Sequence, residues 1–174
     1  EIPNPLCYKI VYAGLYWGAV TSGPESITNV KFKGPSGGYN DVVGSVIYDA
    51  AGVPTGNSFP YACYADVTAI VTGLATNTGT YTLANVSSAQ GRTDQLNPYN
   101  GTGYSAGWSL FVVYEDPTLP SKSITSFDGF SAISSAVNLN VPISGFRTVP
   151  APSPVRANFA FAALEGDKPI QNDR

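Results

Sequence analysis

The chain is 174 residues long, 43% hydrophobic and 12% aromatic, with 18 Gly and 14 Pro but only 12% charged residues. That balance argues against a coiled coil, a disordered chain or long solvated helices, and the length suits one domain burying about 69% of its unfolded surface. A net charge of −3 without clustered Lys or Arg gives no footprint for a phosphate backbone, so no nucleic-acid partner is expected; no apolar run reaches the roughly 18 residues that membrane insertion needs.

The chain opens at Glu1 with neither an initiator Met nor a signal-peptide pattern, which reads as a mature or excised piece. From Lys9 to Trp17 strict alternation places Ile10, Tyr12 and Tyr16 on one face of a strand and Val11, Ala13, Leu15 and Trp17 on the other. Both faces are apolar, so this strand is expected to be covered on both sides. Residues 28–33 set Val30 and Phe32 against Lys31 and Lys33, a half-exposed strand, and 34–41 is a turn. Further strands are expected over 42–48 and 61–64. Asp66 to Gly73 carries the one helical signal, with Asp66 placed to cap, Val67, Ile70 and Val71 at helical spacing and Gly73 as the stop.

Strand signals resume over 79–86, followed by an aperiodic segment, 88–107, of the length that marks functional or mobile loops. Residues 108–116 form the most apolar strand, with Trp108, Leu110, Val112 and Tyr114 facing one way and Phe111 and Val113 the other, which predicts a central place in a sheet. Three more strand-like runs follow at 121–130, 136–143 and 155–164, and Pro150, Pro152 and Pro154 predict an extended crossover before the last. Eight or nine strands with one helical turn point to an all-β, two-sheet β-sandwich, jelly-roll-like, as a single domain over 1–174.

Two cysteines, Cys7 and Cys63, both lie in strand-like surroundings, which favours a disulfide over a pair of buried thiols. Closing a loop of about 57 residues would be worth roughly 4 kcal/mol. The absence of His removes a Cys/His zinc site, a Ser-His-Asp triad and a Cys-His dyad from what this sequence can build.

Five stretches together resemble one family: Ala13-Gly-Leu-Tyr-Trp-Gly-Ala19, Ala65-Asp-Val-Thr68, Gly107-Trp-Ser-Leu-Phe-Val-Val-Tyr-Glu-Asp-Pro117, Thr125-Ser-Phe-Asp-Gly-Phe130, and Arg156 through Asp167. They are similar to a domain of very large cell-surface proteins of Bacteroidota, exported by the type 9 secretion system and including gliding-motility adhesins. The resemblance covers nearly the whole chain and implies an extracellular cell-surface module cut from a much larger protein, with neighbouring domains or surface glycans as partners. It implies no catalytic residues.

The residues themselves leave several readings open. Enzymatic chemistry needs converging groups, yet Glu115 and Asp116 are consecutive on a strand and point apart, and a Glu115–Glu165 couple exists only if their strands are neighbours. A non-enzymatic structural and adhesive module is therefore the first expectation. A lectin-like alternative uses the 88–107 loop, where Arg92, Asp94, Asn97, Tyr99, Asn100 and Tyr104 offer aromatic faces and planar polar groups to a sugar. Weaker alternatives are a filament subunit built by strand complementation and a glycoside hydrolase. Asp116, Asp128, Glu165 and Asp167 sit at strand ends, where a structural Ca²⁺ is the cation they would take, and solvated turn acids are the ordinary alternative.

Overall fold

The computed structural model describes residues 8–21, 26–50, 59–89, 105–130 and 140–160. These residues hold seven strands, β1 (Lys9–Thr21), β2 (Asn29–Lys33), β3 (Asn40–Val43), β4 (Ser45–Asp49), β5 (Phe59–Asp66), β6 (Thr82–Ala84) and β7 (Ala106–Glu115), and one helix, α1 (Thr68–Thr72). A four-stranded sheet in the order β4-β5-β1-β7 and a three-stranded sheet in the order β3-β2-β6 are antiparallel throughout. Their inner faces share one core, so the domain is an all-β, two-sheet sandwich.

β1 organises that core. Ala13, Leu15, Trp17, Ala19 and Thr21 are buried on its inner face, where Phe32, Val30 and Val42 of the smaller sheet meet them. The Trp17 indole N–H donates to the Ile27 carbonyl at 2.9 Å, so the largest core side chain leaves no polar atom unpaired. A bulge where the register to β7 slips between Ile10 and Tyr12 corrects the simple alternation: Ile10 joins the buried face and Val11 turns outward. β2 follows its sequence pattern, Val30 and Phe32 inward and Lys31 and Lys33 outward.

The single strand expected over 42–48 is two strands in different sheets. Gly44 divides them, and a Cβ there would run into the Trp17 ring, so glycine lets the chain cross from one sheet to the other around the tryptophan edge. The predicted helical turn is present. Val67 and Val71 are buried beneath it, and Asp66 accepts from the Thr68 amide at 2.9 Å one residue outside the helix, with Val67 at the cap position.

Among the described residues β7 lies at the edge of the larger sheet, and β5 and β1 are its inner strands. Sequence put β7 at the centre because it is apolar on both faces; the outer-face Phe111 instead packs edge-on against Tyr16, with ring centroids 5.6 Å apart. The runs expected as strands at 121–130, 140–143 and 155–160 join no ladder, while 131–139 and 161–174 lie outside the described residues. Around the prolines the chain turns, the Ser153 amide donating to the Pro150 carbonyl at 3.2 Å.

The disulfide expectation is corrected as well. Cys63 is a free, buried thiol on β5, directly opposite Trp17. Cys7 lies outside the described residues.

Burial, with Asp49 nearby as the lesser cause, pushes the Cys63 thiol up to about 11. We expect an alkylating reagent near neutral pH to leave Cys63 unmodified in the native protein and to label it in denaturant without reductant, read as one added mass on a peptide containing Cys63. A bridged protein would give no label until reduced. In urea unfolding, Trp17→Ala or Phe32→Ala should each cost about 3–5 kcal/mol. Val43→Ala, at a side chain 72% exposed, should cost no more than about 0.5 kcal/mol.

Candidate functional site

The register gives the sandwich two unlike poles. At one, Lys9 of β1 pairs with Glu115 of β7, so the described chain enters and leaves the larger sheet side by side. At the other, Thr21 pairs with Phe59 and Ala19 with Ala106. Here the Val20 amide donates to the Ser105 carbonyl at 2.9 Å, the Ala89 amide donates to the Val20 carbonyl at 3.0 Å, and the Tyr61 hydroxyl donates to the Ser87 carbonyl at 2.7 Å. The segments containing 22–25, 51–58 and 90–104 therefore all start and finish at this second pole. Arg92, Asp94, Asn97, Tyr99, Asn100 and Tyr104 lie outside the described residues, but the ends of their segment, Ala89 and Ser105, are both fixed to Val20 of the central strand.

A second constellation covers the outer face of the larger sheet. The register sets Tyr64, Tyr16 and Ser109 in one row across β5, β1 and β7, and Asp66, Gly14 and Phe111 in the next. Gly14 leaves a gap in that second row, which the Tyr12 ring fills: a Cβ at position 14 would strike the Tyr12 hydroxyl. From there Tyr12 and Tyr64 share a hydrogen bond 3.2 Å long, and the Tyr16 and Tyr64 rings lie 5.0 Å apart.

Residues 126–130 lie against this face through three side chains. Alternate side chains turn toward the sheet: Ser126 and Asp128 bond the Tyr16 hydroxyl, and Phe130 stacks flat on Tyr48 of β4, centroids 3.9 Å apart. The strand expected over 121–130 is not formed: three of its side chains meet the sheet face and its backbone joins no ladder. Sequence reading missed the cluster as a unit. Its signal was Tyr12-Ala-Gly14-Leu-Tyr16, two aromatics flanking a glycine on one strand face.

Of the acids weighed for Ca²⁺, Asp116 accepts from both the amide and the hydroxyl of Thr118, at 2.8 and 2.6 Å, and Asp128 is held by Tyr16. Glu165 and Asp167 lie outside the described residues, among which no three His, Cys, Asp or Glu side chains gather for a metal. Glu115 lies opposite Lys9 at the strand pole, and Asp66 is held below the usual carboxylate range by the Thr68 hydroxyl and amide. Aromatic rings, phenolic hydroxyls and the Asp66 and Asp128 carboxylates make the outer face a surface for stacking and hydrogen bonding. No known protein family, curated protein or solved structure matches the chain.

The tyrosines of the cluster resist ionisation. Burial, then the Asp128 carboxylate, raises Tyr16; burial raises Tyr12; its hydrogen bond to Tyr12 raises Tyr64 most. Because the folded values lie above the unfolded value of about 10, their stabilising contribution is complete below about pH 10 and is lost as pH climbs beyond it. We expect unfolding free energy to fall between about pH 9 and about pH 11, and to fall less in the Tyr12→Phe/Tyr64→Phe double variant; equal losses in both proteins would place the alkaline sensitivity elsewhere.

Proposed function

We propose that this chain is a non-enzymatic structural and adhesive module of a large extracellular surface protein, one that holds connecting segments out at a pole remote from its own attachment. The observation that carries this reading is the polarity of the sandwich: strand ends Lys9 and Glu115 share one pole, while the segments anchored at Thr21, Phe59, Ala89 and Ser105 share the other. A rigid two-sheet body between chain attachment and displayed loops is the arrangement by which scaffolds present binding residues. Its partners would be neighbouring domains of the same protein or surface ligands. The resemblance of the AGLYWGA and GWSLFVVYEDP stretches to bacterial surface adhesins supports the same reading.

The same polarity favours a second reading, a lectin-like module. The segment bearing Tyr99 and Tyr104 returns to the central strand at both ends, through Val20, so a sugar gripped there would bear directly on the core.

Two measurements divide the readings. Replacing residues 91–103 by a Gly/Ser linker should leave the melting temperature within about 3 °C of the parent, since displayed loops contribute little to the core. A drop of 10 °C or more, by the same scaling, would make the segment part of the fold and sink the presentation role. On an array of immobilised glycans, binding that vanishes in Tyr99→Ala and Tyr104→Ala would move the assignment to the lectin class.

A further inference from the structure

Three tyrosines on the outer face of the larger sheet form a hydrogen-bonded chain that ends on a carboxylate. Tyr12 of β1 and Tyr64 of β5 share a hydrogen bond 3.2 Å long, the Tyr12 and Tyr16 hydroxyls are bonded in turn, and Tyr16 donates to Asp128. Asp128 is exposed, whereas the three tyrosines are half-buried. A phenol that loses an electron becomes a far stronger acid, so it is oxidised readily only where its proton has somewhere to go. Asp128 supplies that place, directly for Tyr16 and through the intervening hydroxyls for Tyr12 and Tyr64.

The geometry also selects a pair. Two phenoxyl radicals couple through the ring carbons next to their oxygens, and the 2,2′-biphenol that results keeps its two hydroxyls within hydrogen-bonding distance. Tyr12 and Tyr64 hold that arrangement before any reaction, although they are 52 residues apart in sequence. The Tyr12 ring is set by the gap at Gly14, and the Tyr64 ring by its contact with Tyr16, centroids 5.0 Å apart. Partners held in place react as one molecule, without the cost of finding each other. Tyr16 is the less suited member, because its hydroxyl is turned to Ser126 and Asp128.

We propose that Tyr12 and Tyr64 are the site of an oxidative cross-link, a dityrosine bond that staples β1 to β5, made by hydrogen peroxide through a haem peroxidase with Asp128 as the proton acceptor. Each phenol gives up one electron and its hydroxyl proton, and the two radicals pair in one carbon–carbon bond. The hydrogens on the joined carbons then move to the two oxygens and restore both phenols. Overall, two tyrosines and one hydrogen peroxide give one biphenol and two waters. Such a staple goes beyond the presentation role and stands without it.

The test treats the full 174-residue chain with a haem peroxidase and hydrogen peroxide, in protein dilute enough that coupling between molecules is slow. The expected product has one chain mass less two hydrogens, shows the blue fluorescence of a biphenol, and gives on digestion two peptides joined at Tyr12 and Tyr64. Closing a loop of 52 residues should raise its melting temperature by roughly 10 °C. Tyr12→Phe and Tyr64→Phe keep the rings and lose the hydroxyls, and each should cut the yield of this product at least tenfold. Asp128→Asn should slow its formation at least threefold, while Tyr39→Phe, at an exposed ring beneath Lys33, should change it less than twofold. A biphenol joined at any other pair, coupling only between two chains, or a rate indifferent to Asp128→Asn would each overturn the proposal.

Discussion

The double-sided burial of β1 is the constraint on which the molecule depends. One strand supplies the inner face with Ala13, Leu15 and Trp17 and the outer face with Tyr12 and Tyr16, and it is flanked by ladders to β5 and β7. An extended backbone has only two faces and two edges, and here all four are used. Removing Trp17 from this arrangement would take away the side chain around which the β3–β4 crossing at Gly44 is shaped. The Ile27 carbonyl, which accepts from the indole at 2.9 Å and lies 3.6 Å from the Cys63 sulfur, ties the start of the smaller sheet to the same point.

From that strand the two surfaces of interest follow. Its C-terminal end, at Val20, fixes both ends of the segment carrying the loop residues weighed for sugar binding. Its outer face, through Tyr16, receives Asp128 and so determines where the chain goes after β7. The inner face of β7, by contrast, is only partly covered by the described residues, among which Trp108, Leu110, Val112 and Tyr114 are half-buried against the core.

The sequence was most legible where one face meets water. Val30 and Phe32 alternating with Lys31 and Lys33 fix both the existence and the orientation of β2, because a slip by one residue would bury a lysine. Where both faces are apolar the same pattern loses its power to assign neighbours, and β7 was read as central when Phe111 owes its environment to Tyr16 on the outer face. The bulge at Ile10 and the sheet change at Gly44 are single-residue events that leave composition and period almost untouched. The strand expected over 121–130 joins no ladder, since side-chain pattern says nothing of what the amides bond. Cysteine spacing likewise carried no information on register, which places Cys63 opposite Trp17 and far along the strand from Lys9. The tyrosine cluster was hidden because its members come from β1, β4 and β5 and meet only through pairing.

The claim that β1 is the keystone is tested most directly by native-state hydrogen exchange resolved by residue. If β1 is held from both sides, the amides of Leu15 and Trp17 exchange only through global unfolding and share the largest protection in the protein, while those of 141–149 exchange at nearly the rate of free chain. Protection at Leu15 and Trp17 no greater than that of 141–149 would contradict the account and remove β1 from the centre of the fold.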